Sequence, residues 1–283
     1  MRMLVQLAFT ALTNGYAAGF AQGNIYKGAG KFVCVPGLNC YSCPGALGAC
    51  PIGSLQAVIT SREHKFSFYV IGFLLLFGAL FGRLVCGWLC PFGLVQDLLH
   101  KIPFVKKLRR LPGERWLKYL KYVILLGFVI ILPLTVLDIV GQGQPWFCKY
   151  ICPSGTLFAG LPLIGTNPAL RGALGWLFTW KAAILLGLVV LSLFVYRPFC
   201  RYLCPLGAIY GLFNPVALYR FRIDKSRCTG CGACQRACKL SIPVYRTPNS
   251  AECIRCGDCR RICPEEAISI RSPAAQAACS RPQ

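Results

Sequence analysis

Apolar residues form four runs along the chain, and each run is bounded by polar or charged segments. An α-helix rises about 1.5 Å per residue, so roughly 20 residues cover a hydrocarbon core of about 30 Å. The runs predict membrane spans at residues 3–21, 66–85, 117–137 and 177–196. Polar residues interrupt the first run, which also fits a cleaved signal peptide; we favour a retained helix. The pattern predicts a mainly α-helical protein with a four-helix transmembrane domain at residues 1–216.

Positive charge is concentrated on one side of these predicted spans. The connector 97–121 carries eight Lys or Arg residues and the chain after Tyr196 carries fourteen, whereas the loop 138–175 carries only Lys149 and Arg171. Cytoplasmic loops are enriched in Lys and Arg, so we expect a multi-pass protein of the cytoplasmic (inner) membrane with both termini in the cytoplasm. The net charge of +22 would also suit a nucleic-acid-binding protein, but repeated uncharged stretches of this length exclude that class.

Two of the predicted spans lead directly into the same motif. Residues 83–93 and 197–207 both read R-x-x-C-x-x-L-C-P-x-G. Cysteines at this spacing share a helix face, and the proline forces the residue before it out of helical geometry. We expect both copies at the cytoplasmic edge, where they supply the four thiolates that a 4Fe-4S cluster needs. Arg83 and Arg197 could stabilise the reduced cluster, but we interpret them mainly as positive-inside anchors. The predicted inner-edge ligands are Cys86, Cys90, Cys200 and Cys204.

Two dense cysteine runs near the C-terminus have the spacing of bacterial two-cluster ferredoxins. Short strands at residues 219–224 and 267–270 are predicted to flank them. The fourth cysteine of each run binds the other cluster in such proteins. We predict a cytoplasmic ferredoxin-like α+β domain at residues 217–271, followed by a disordered tail at 272–283. The predicted ligands are Cys228, Cys231, Cys234 and Cys263 for one 4Fe-4S cluster, and Cys253, Cys256, Cys259 and Cys238 for the second.

A third C-x-x-x-C-P-x-G sequence, at residues 148–155, falls on the opposite side of the predicted membrane. The six cysteines predicted on that side are Cys34, Cys40, Cys43, Cys50, Cys148 and Cys152. Our first hypothesis is an outer cluster held by Cys50, Cys148, Cys152 and either Cys40 or Cys43, because residues 50–53 resemble the second half of the motif. Alternatively, the four cysteines of the first loop hold it, or the outer cysteines form disulfides.

Haem is excluded as the electron carrier, because the chain has only His64 and His100 and no C-x-x-C-H motif. Three 4Fe-4S clusters are expected, with a fourth on the outer side. Lys181 lies near the outer end of the fourth span, and we interpret it as snorkelling to the interface. Asp97 and His100 could handle the protons of a quinone, but we interpret them as solvated loop residues.

These motifs resemble the membrane-bound polyferredoxins of the NapH type, quinol dehydrogenases that act with periplasmic nitrate reductase. The resemblance covers residues 2–270 and rests on the three C-x-x-x-C-P pairs and the eight ferredoxin cysteines. It implies electron transfer between the quinone pool or cytoplasmic carriers and a partner redox enzyme. The chain would then be an electron-transfer component of a membrane oxidoreductase rather than a self-sufficient enzyme. The alternatives are a stand-alone metal-ion reductase and a non-enzymatic redox-sensing or assembly factor.

The expected partners follow from location and charge. Residues 220–271 contain eleven Lys or Arg and five Asp or Glu. This surplus would attract an acidic ferredoxin or flavoprotein on the cytoplasmic side, or anionic lipid headgroups. We also expect a partner redox subunit at the outer side or in the membrane, and quinone as a further partner of the membrane domain.

Overall fold

The computed structural model describes residues 1–60, 68–103, 106–138, 143–172 and 174–271. Helices dominate this part of the chain, which confirms the predicted mainly α class, while the predicted tail at 272–283 lies outside it. The α-helices are α1 Arg2–Thr13, α2 Ala17–Gln22, α3 Pro51–Thr60, α4 Phe68–Phe81, α5 Leu84–Trp88, α6 Pro91–Lys101, α7 Glu114–Ile124, α8 Leu132–Thr135, α9 Pro153–Gly155, α10 Leu161–Thr166, α11 Pro168–Gly172, α12 Trp176–Phe194, α13 Pro198–Tyr202, α14 Pro205–Phe213, α15 Ala233–Ala237 and α16 Asp258–Arg261. Three π-helical segments, Leu125–Ile131, Phe147–Ile151 and Thr156–Gly160, and a 3₁₀ turn, Ala29–Phe32, connect some of them.

Two helical stretches among the described residues are long and apolar enough to cross a membrane. They are Glu114–Thr135, with 22 residues, and α12, with 19. These stretches match the predicted third and fourth spans. The predicted first span is divided into α1 and α2, because the chain leaves helical geometry at Asn14. In place of the second span, the described residues contain α4, with 14 residues. The four-helix membrane domain therefore stays a prediction.

Each C-x-x-x-C-P motif forms the same hinge. The second cysteine caps the N-terminus of the helix that begins at the proline, and its backbone is extended: ψ is 118° at Cys90, 109° at Cys152 and 114° at Cys204. A proline excludes the α region for the residue before it, while its own fixed φ suits the first helical position. This confirms that the proline ends the preceding segment at the second cysteine.

Residues 217–271, the predicted ferredoxin-like domain, contain a small sheet and two short helices, and we call them the ferredoxin unit. The predicted strands are confirmed as β1 Arg220–Ile223 and β2 Ile268–Arg271, which pair antiparallel. Gly232 and Gly257 begin α15 and α16 with φ of 70° and 84°, a conformation that side chains disfavour. The unit packs on the helical part at the first motif copy, where Gly87 leaves room for the carbonyl oxygen of Ile254. A Cβ at Gly87 would lie 2.2 Å from that oxygen.

Candidate functional site

The two copies of the R-x-x-C-x-x-L-C-P-x-G motif meet in the interior. Their four cysteines, Cys86, Cys90, Cys200 and Cys204, are each at most 5% exposed, and we call them the inner-edge quartet. Burial raises the pKa of the Cys204 thiol well above its usual range, and the neighbouring Cys200, Cys86 and Cys90 thiols raise it further. The structure thus brings the predicted inner-edge ligands together from two short helices and two helix N-termini.

Each motif copy supplies an arginine to the other copy. The Nη2 of Arg83 donates to the carbonyl oxygen of Cys200 at 2.7 Å, and the Nη1 of Arg197 donates to the carbonyl oxygen of Cys86 at 2.5 Å. A Cβ at Gly207 would lie 3.2 Å from Arg83 Nη2, and a Cβ at Gly93 would lie 3.2 Å from Arg197 Nη1. The arginine and the glycine of the motif are therefore partners across the two copies.

Both arginines are buried and paired with carboxylates. Arg83 is 1% exposed and Arg197 is 0% exposed, so the anchor interpretation was wrong: neither guanidinium reaches the surface of the protein. Arg197 binds Asp97 through two bonds of 2.7 and 2.5 Å, and Arg83 binds Glu252 at 2.8 Å. Asp97 is therefore an internal counter-ion and not the solvated loop residue we expected.

Electrostatics keep these two carboxylates ionised. Burial by itself would raise the pKa of Asp97, but the charges of Arg197 and Arg2 outweigh it and lower the pKa. The same balance lowers the pKa of Glu252, where Arg83 and Lys121 supply the positive charge. Buried ions are tolerated when they are paired and hydrogen-bonded in this way.

The C-P-x-G part of the motif directs backbone N–H groups at sulfur. The Gly207 N–H lies 3.4 Å from the Cys204 sulfur. Equivalent bonds run from Gly93 to Cys90, from Gly155 to Cys152 and from Gly53 to Cys50. The first N–H groups of a helix have no partner within the helix and favour negative charge. These N–H groups lower the pKa of the four thiols and so offset part of the effect of burial, which raises it.

The eight ferredoxin cysteines form two groups with the predicted exchange of the fourth cysteine. Cys228, Cys231, Cys234 and Cys263, the first ferredoxin quartet, line one surface cavity. Cys238, Cys253, Cys256 and Cys259 form the second ferredoxin quartet. Burial and then the thiols of Cys253, Cys256 and Cys238 raise the pKa of Cys259 to about 12. The first quartet includes the exposed Cys231, whereas the second lies deeper, with Cys259 buried.

The outer cysteines form a fourth group. Burial raises the pKa of Cys148, and it is raised further by three neighbouring thiols, those of Cys152, Cys50 and Cys40. We call these four cysteines the outer quartet. The same four residues line a cavity of about 620 Å³. Cys43 does not line this cavity, and its sulfur lies 3.7 Å from the side-chain oxygen of Asn14. Between the two candidates for the fourth position, the structure brings Cys40 to the group.

Two lysines and an unpartnered hydroxyl face the outer quartet. Lys181 Nζ donates to the carbonyl oxygen of Cys148 at 3.1 Å and lines the cavity with Lys31. The snorkelling interpretation of Lys181 was therefore wrong, because its ammonium group points inward. Ser154 Oγ is buried in the same wall and has no hydrogen-bond partner among the described residues. A sulfur-rich anionic group in this cavity would fit both the positive charge and the hydroxyl.

The donor sets consist of sulfur alone and have the number of ligands that a 4Fe-4S cluster needs. Within the described ranges, no three Cys, His, Asp or Glu side chains converge tightly enough for one ion. Each cysteine of a 4Fe-4S cluster binds a different iron, so its sulfurs stand farther apart than the ligands of one ion. The eighteen cysteines of the described residues are free thiols. Sulfur-only quartets with backbone N–H donors match the ligand chemistry of 4Fe-4S clusters.

The inner-edge and outer quartets are neighbours across Tyr210. This tyrosine is fully buried and donates to the carbonyl oxygen of Pro36 at 3.2 Å. Burial raises the pKa of Tyr210, and the thiols of Cys86 and Cys50, one from each quartet, raise it further. Leu38 of the loop that carries Cys40 donates its N–H to the sulfur of Cys90. The loop at residues 34–50 therefore packs on the inner-edge quartet and does not lie free at an outer surface.

The counter-ions were missed by sequence reasoning. Asp97, Glu114 and Glu252 are three of only nine acidic residues, and each pairs with a buried arginine of the motif copies: Arg197, Arg201 and Arg83. In a chain with a net charge of +22, an acidic residue close to a motif is a usable signal for such a pair.

Comparison with known proteins places the chain among iron–sulfur proteins. A family model described as a 4Fe-4S binding domain matches residues 64–112, 120–165 and 176–226, and a second of the same description matches residues 219–240. No solved structure matches the chain.

The curated relatives include two uncharacterised proteins of Methanocaldococcus jannaschii. One is 30% identical over 58% of this chain and 54% of its own length, and the other is 31% identical over 67% and 72%. The methylamine utilization ferredoxin-type protein MauN of Methylobacillus flagellatus is 31% identical over 60% of this chain and 51% of its own length. The chain therefore spans about half the length of the first and third of these relatives.

The family matches support the cofactor and the general function, whereas the narrower resemblance to NapH-type proteins stays a prediction. The first model covers about half of the chain and includes the two motif copies and Cys148/Cys152. On these residues and matches, the chain belongs to the 4Fe-4S binding domain family.

Proposed function

We propose that the protein relays electrons through four 4Fe-4S clusters between a carrier at its ferredoxin unit and a partner redox protein at the other end of the helical part. The observation that carries this proposal is the grouping of sixteen cysteines into four quartets that follow one another through the molecule. A 4Fe-4S cluster takes up and releases single electrons, with a potential set by its surroundings. The chain would act as an electron-transfer component of a membrane oxidoreductase, with quinone as a candidate partner.

The residues between quartets support a continuous path. The carbonyl oxygens of Ile254 and Arg255 pack against Gly87 and Trp88, so the second ferredoxin quartet adjoins the inner-edge quartet. Tyr210 and Leu38 fill the space from there to the outer quartet. The first ferredoxin quartet, with Cys231 exposed, is the point where a soluble carrier could approach. Its basic surroundings favour an acidic ferredoxin or flavoprotein.

A location in the cytoplasmic membrane is part of the proposal. Besides the two long helices, α1 and α4 also present large apolar side chains outward, among them Leu4, Leu12, Leu75 and Leu76. Exposed apolar surface of this extent is typical of contact with lipid. Arg2, at the start of α1, lies 3.1 Å from Asp97 near the ferredoxin unit. This supports a topology with four spans and both termini on the cytoplasmic side.

The decisive experiment measures electron transfer across reconstituted vesicles. Wild-type protein should pass electrons from a reduced ferredoxin added on one side to a dye trapped inside. We expect Cys86→Ser to reduce the rate by at least about 100-fold and to remove about four irons per chain, while the ferredoxin cluster signals remain. Cys34→Ser is the matched control, because Cys34 is equally buried but belongs to no quartet. Unchanged transfer in Cys86→Ser would overturn the proposal.

A further inference from the structure

One carboxylate joins the ferredoxin unit to the inner-edge quartet. Glu252 directly precedes Cys253 of the second ferredoxin quartet and is 9% exposed. It accepts a hydrogen bond from Arg83 Nη1 at 2.8 Å and another from Lys121. The other terminal nitrogen of Arg83 donates to the carbonyl oxygen of Cys200 at 2.7 Å. The Arg83 guanidinium therefore links Glu252, which adjoins the second ferredoxin quartet, to the backbone of the inner-edge quartet.

In the second motif copy, the equivalent arginine is paired with a carboxylate from the helical part and not from the ferredoxin unit. Arg197 holds the carbonyl oxygen of Cys86 as Arg83 holds that of Cys200, yet its carboxylate partner is Asp97 in α6. The inner-edge quartet thus has two matching arginines, one balanced from within the helical part and one from the ferredoxin unit. A charge of the ferredoxin unit, the Glu252 carboxylate, therefore acts on the quartet at Arg83 but not at Arg197.

Other contacts hold the ferredoxin unit in place without Glu252. Asn214 Nδ2 donates to the carbonyl oxygens of Cys253 at 2.8 Å and Ser250 at 2.9 Å. Trp88 Nε1 donates to the carbonyl oxygen of Arg255 at 3.0 Å, and Arg255 in turn donates to that of Phe81 at 2.7 Å. Replacing the charge of Glu252 by an amide should therefore leave the unit docked. The electrostatic role of this residue can be separated from a role in folding.

Burial makes the charges of this network effective. Arg83 is 1% exposed and Lys121 is 0% exposed, so little water screens them from the quartet. Charges interact more strongly away from water. Positive charge stabilises the more negative, reduced form of a cluster, and the Glu252 carboxylate moderates that effect.

We propose that Glu252 is a positioning residue through which the ferredoxin unit sets the reduction potential of the inner-edge cluster, acting through Arg83. This inference rests on the proposed function, because it assumes a cluster at the inner-edge quartet. Removing the Glu252 charge leaves Arg83 and Lys121 uncompensated and raises the potential. Removing the Arg83 charge lowers it. A purely structural role would not produce shifts of opposite sign.

The test is a redox titration, followed by EPR, of full-length protein purified without oxygen. The inner-edge signal is the one absent from Cys86→Ser. For Glu252→Gln we expect at least a tenfold rise in the ratio of reduced to oxidised inner-edge cluster at a fixed potential, which is about 59 mV for one electron. Arg83→Gln should shift the ratio the other way, and Arg83→Lys should retain most of the wild-type value.

Asp97→Asn is the matched control. It should move the inner-edge signal alone, whereas Glu252→Gln should also move the signal of the second ferredoxin cluster. An inner-edge ratio in Glu252→Gln within twofold of wild type, or a shift in the same direction as in Arg83→Gln, would overturn the inference. If wild-type protein lacks the signal that Cys86→Ser should remove, the proposed function itself fails. The two failures are therefore distinguishable.

Discussion

The inner-edge and outer quartets hold four thiols each in differently built surroundings. The inner-edge quartet comes from two copies of one motif, and two buried arginines cross between the copies. The outer quartet takes Cys148 and Cys152 from one motif and Cys40 and Cys50 from a loop, with Lys31 and Lys181 nearby. Both quartets use the C-P-x-G turn to direct N–H groups at sulfur. They differ in the positive groups around them: arginines paired with carboxylates at the inner-edge quartet, and lysines at the outer quartet.

The difference teaches which features of a thiolate site are general and which are local. The turn that presents sulfur at a helix N-terminus occurs four times and needs only proline and glycine. The cations are local. At the inner edge they are guanidinium groups in buried ion pairs, bidentate for Arg197, and at the outer site a lysine donates to a carbonyl oxygen. Arginine in a buried, paired geometry is more rigid than lysine. We therefore expect the inner-edge site to tolerate substitution less.

The largest expected effect tests the membership of the outer quartet. Cys40→Ser should remove about four irons per chain and abolish electron transfer beyond the inner-edge cluster, because a cluster ligand is lost. Cys43→Ser is the control, since the Cys43 side chain faces Asn14 and not the cavity. Iron analysis beside vesicle transfer rates is the measurement. Loss of iron from Cys43→Ser with full iron in Cys40→Ser would exchange the two assignments.

A smaller effect is expected when a cation of each site is replaced by a neutral side chain. Arg197→Gln leaves Asp97 buried without its main partner, which should cost about 3–5 kcal/mol of stability. Lys181→Gln removes one bond to a carbonyl oxygen and should cost about 1 kcal/mol. Thermal unfolding in detergent, followed by helix signal, measures both. Removing Asp97 together with Arg197 should restore part of the loss, and equal costs for the two single variants would contradict the comparison.

The smallest effect is expected from crowding the contact between the arginine of one motif copy and the glycine of the other. A Cβ at Gly207 would lie 3.1 Å from the Cys200 carbonyl oxygen and 3.2 Å from Arg83 Nη2. Such crowding should make Gly207→Ala cost about 1–3 kcal/mol. Gly187→Ala is the control on α12, where nothing lies within 4 Å of an added Cβ. It should be neutral or slightly stabilising; a destabilised control would assign the effect to glycine in general.

Local patterns predicted much of the fold. The hinge at each Cys-Pro and the two ferredoxin strands were predictable, because proline geometry and alternating residues act over a few positions. The break of the first apolar run into α1 and α2 was harder, because single polar residues do not by themselves end a helix. The lengths of the apolar runs also could not separate the two long helical stretches, Glu114–Thr135 and α12, from the shorter α4.

The site was predictable where its residues repeat and hidden where they do not. The inner-edge cysteines occur in two matching copies, so their pairing could be read from sequence. Glu252 lies 169 positions from Arg83, and Lys181 lies 33 from Cys148. Contacts of this kind depend on how the chain folds back, so a local pattern can mark a candidate such as Glu252 but not its partner. The choice of Cys40 over Cys43 has the same origin, since only two residues of one loop separate the candidates.

The most direct test of the central claim is the iron and acid-labile sulfide content of anaerobically purified protein, with Mössbauer spectra to identify the cluster type. Four cysteine quartets predict about sixteen irons per chain, all in 4Fe-4S clusters. About eight irons or fewer would mean that only the ferredoxin cysteines bind metal, and would contradict a relay through the helical part.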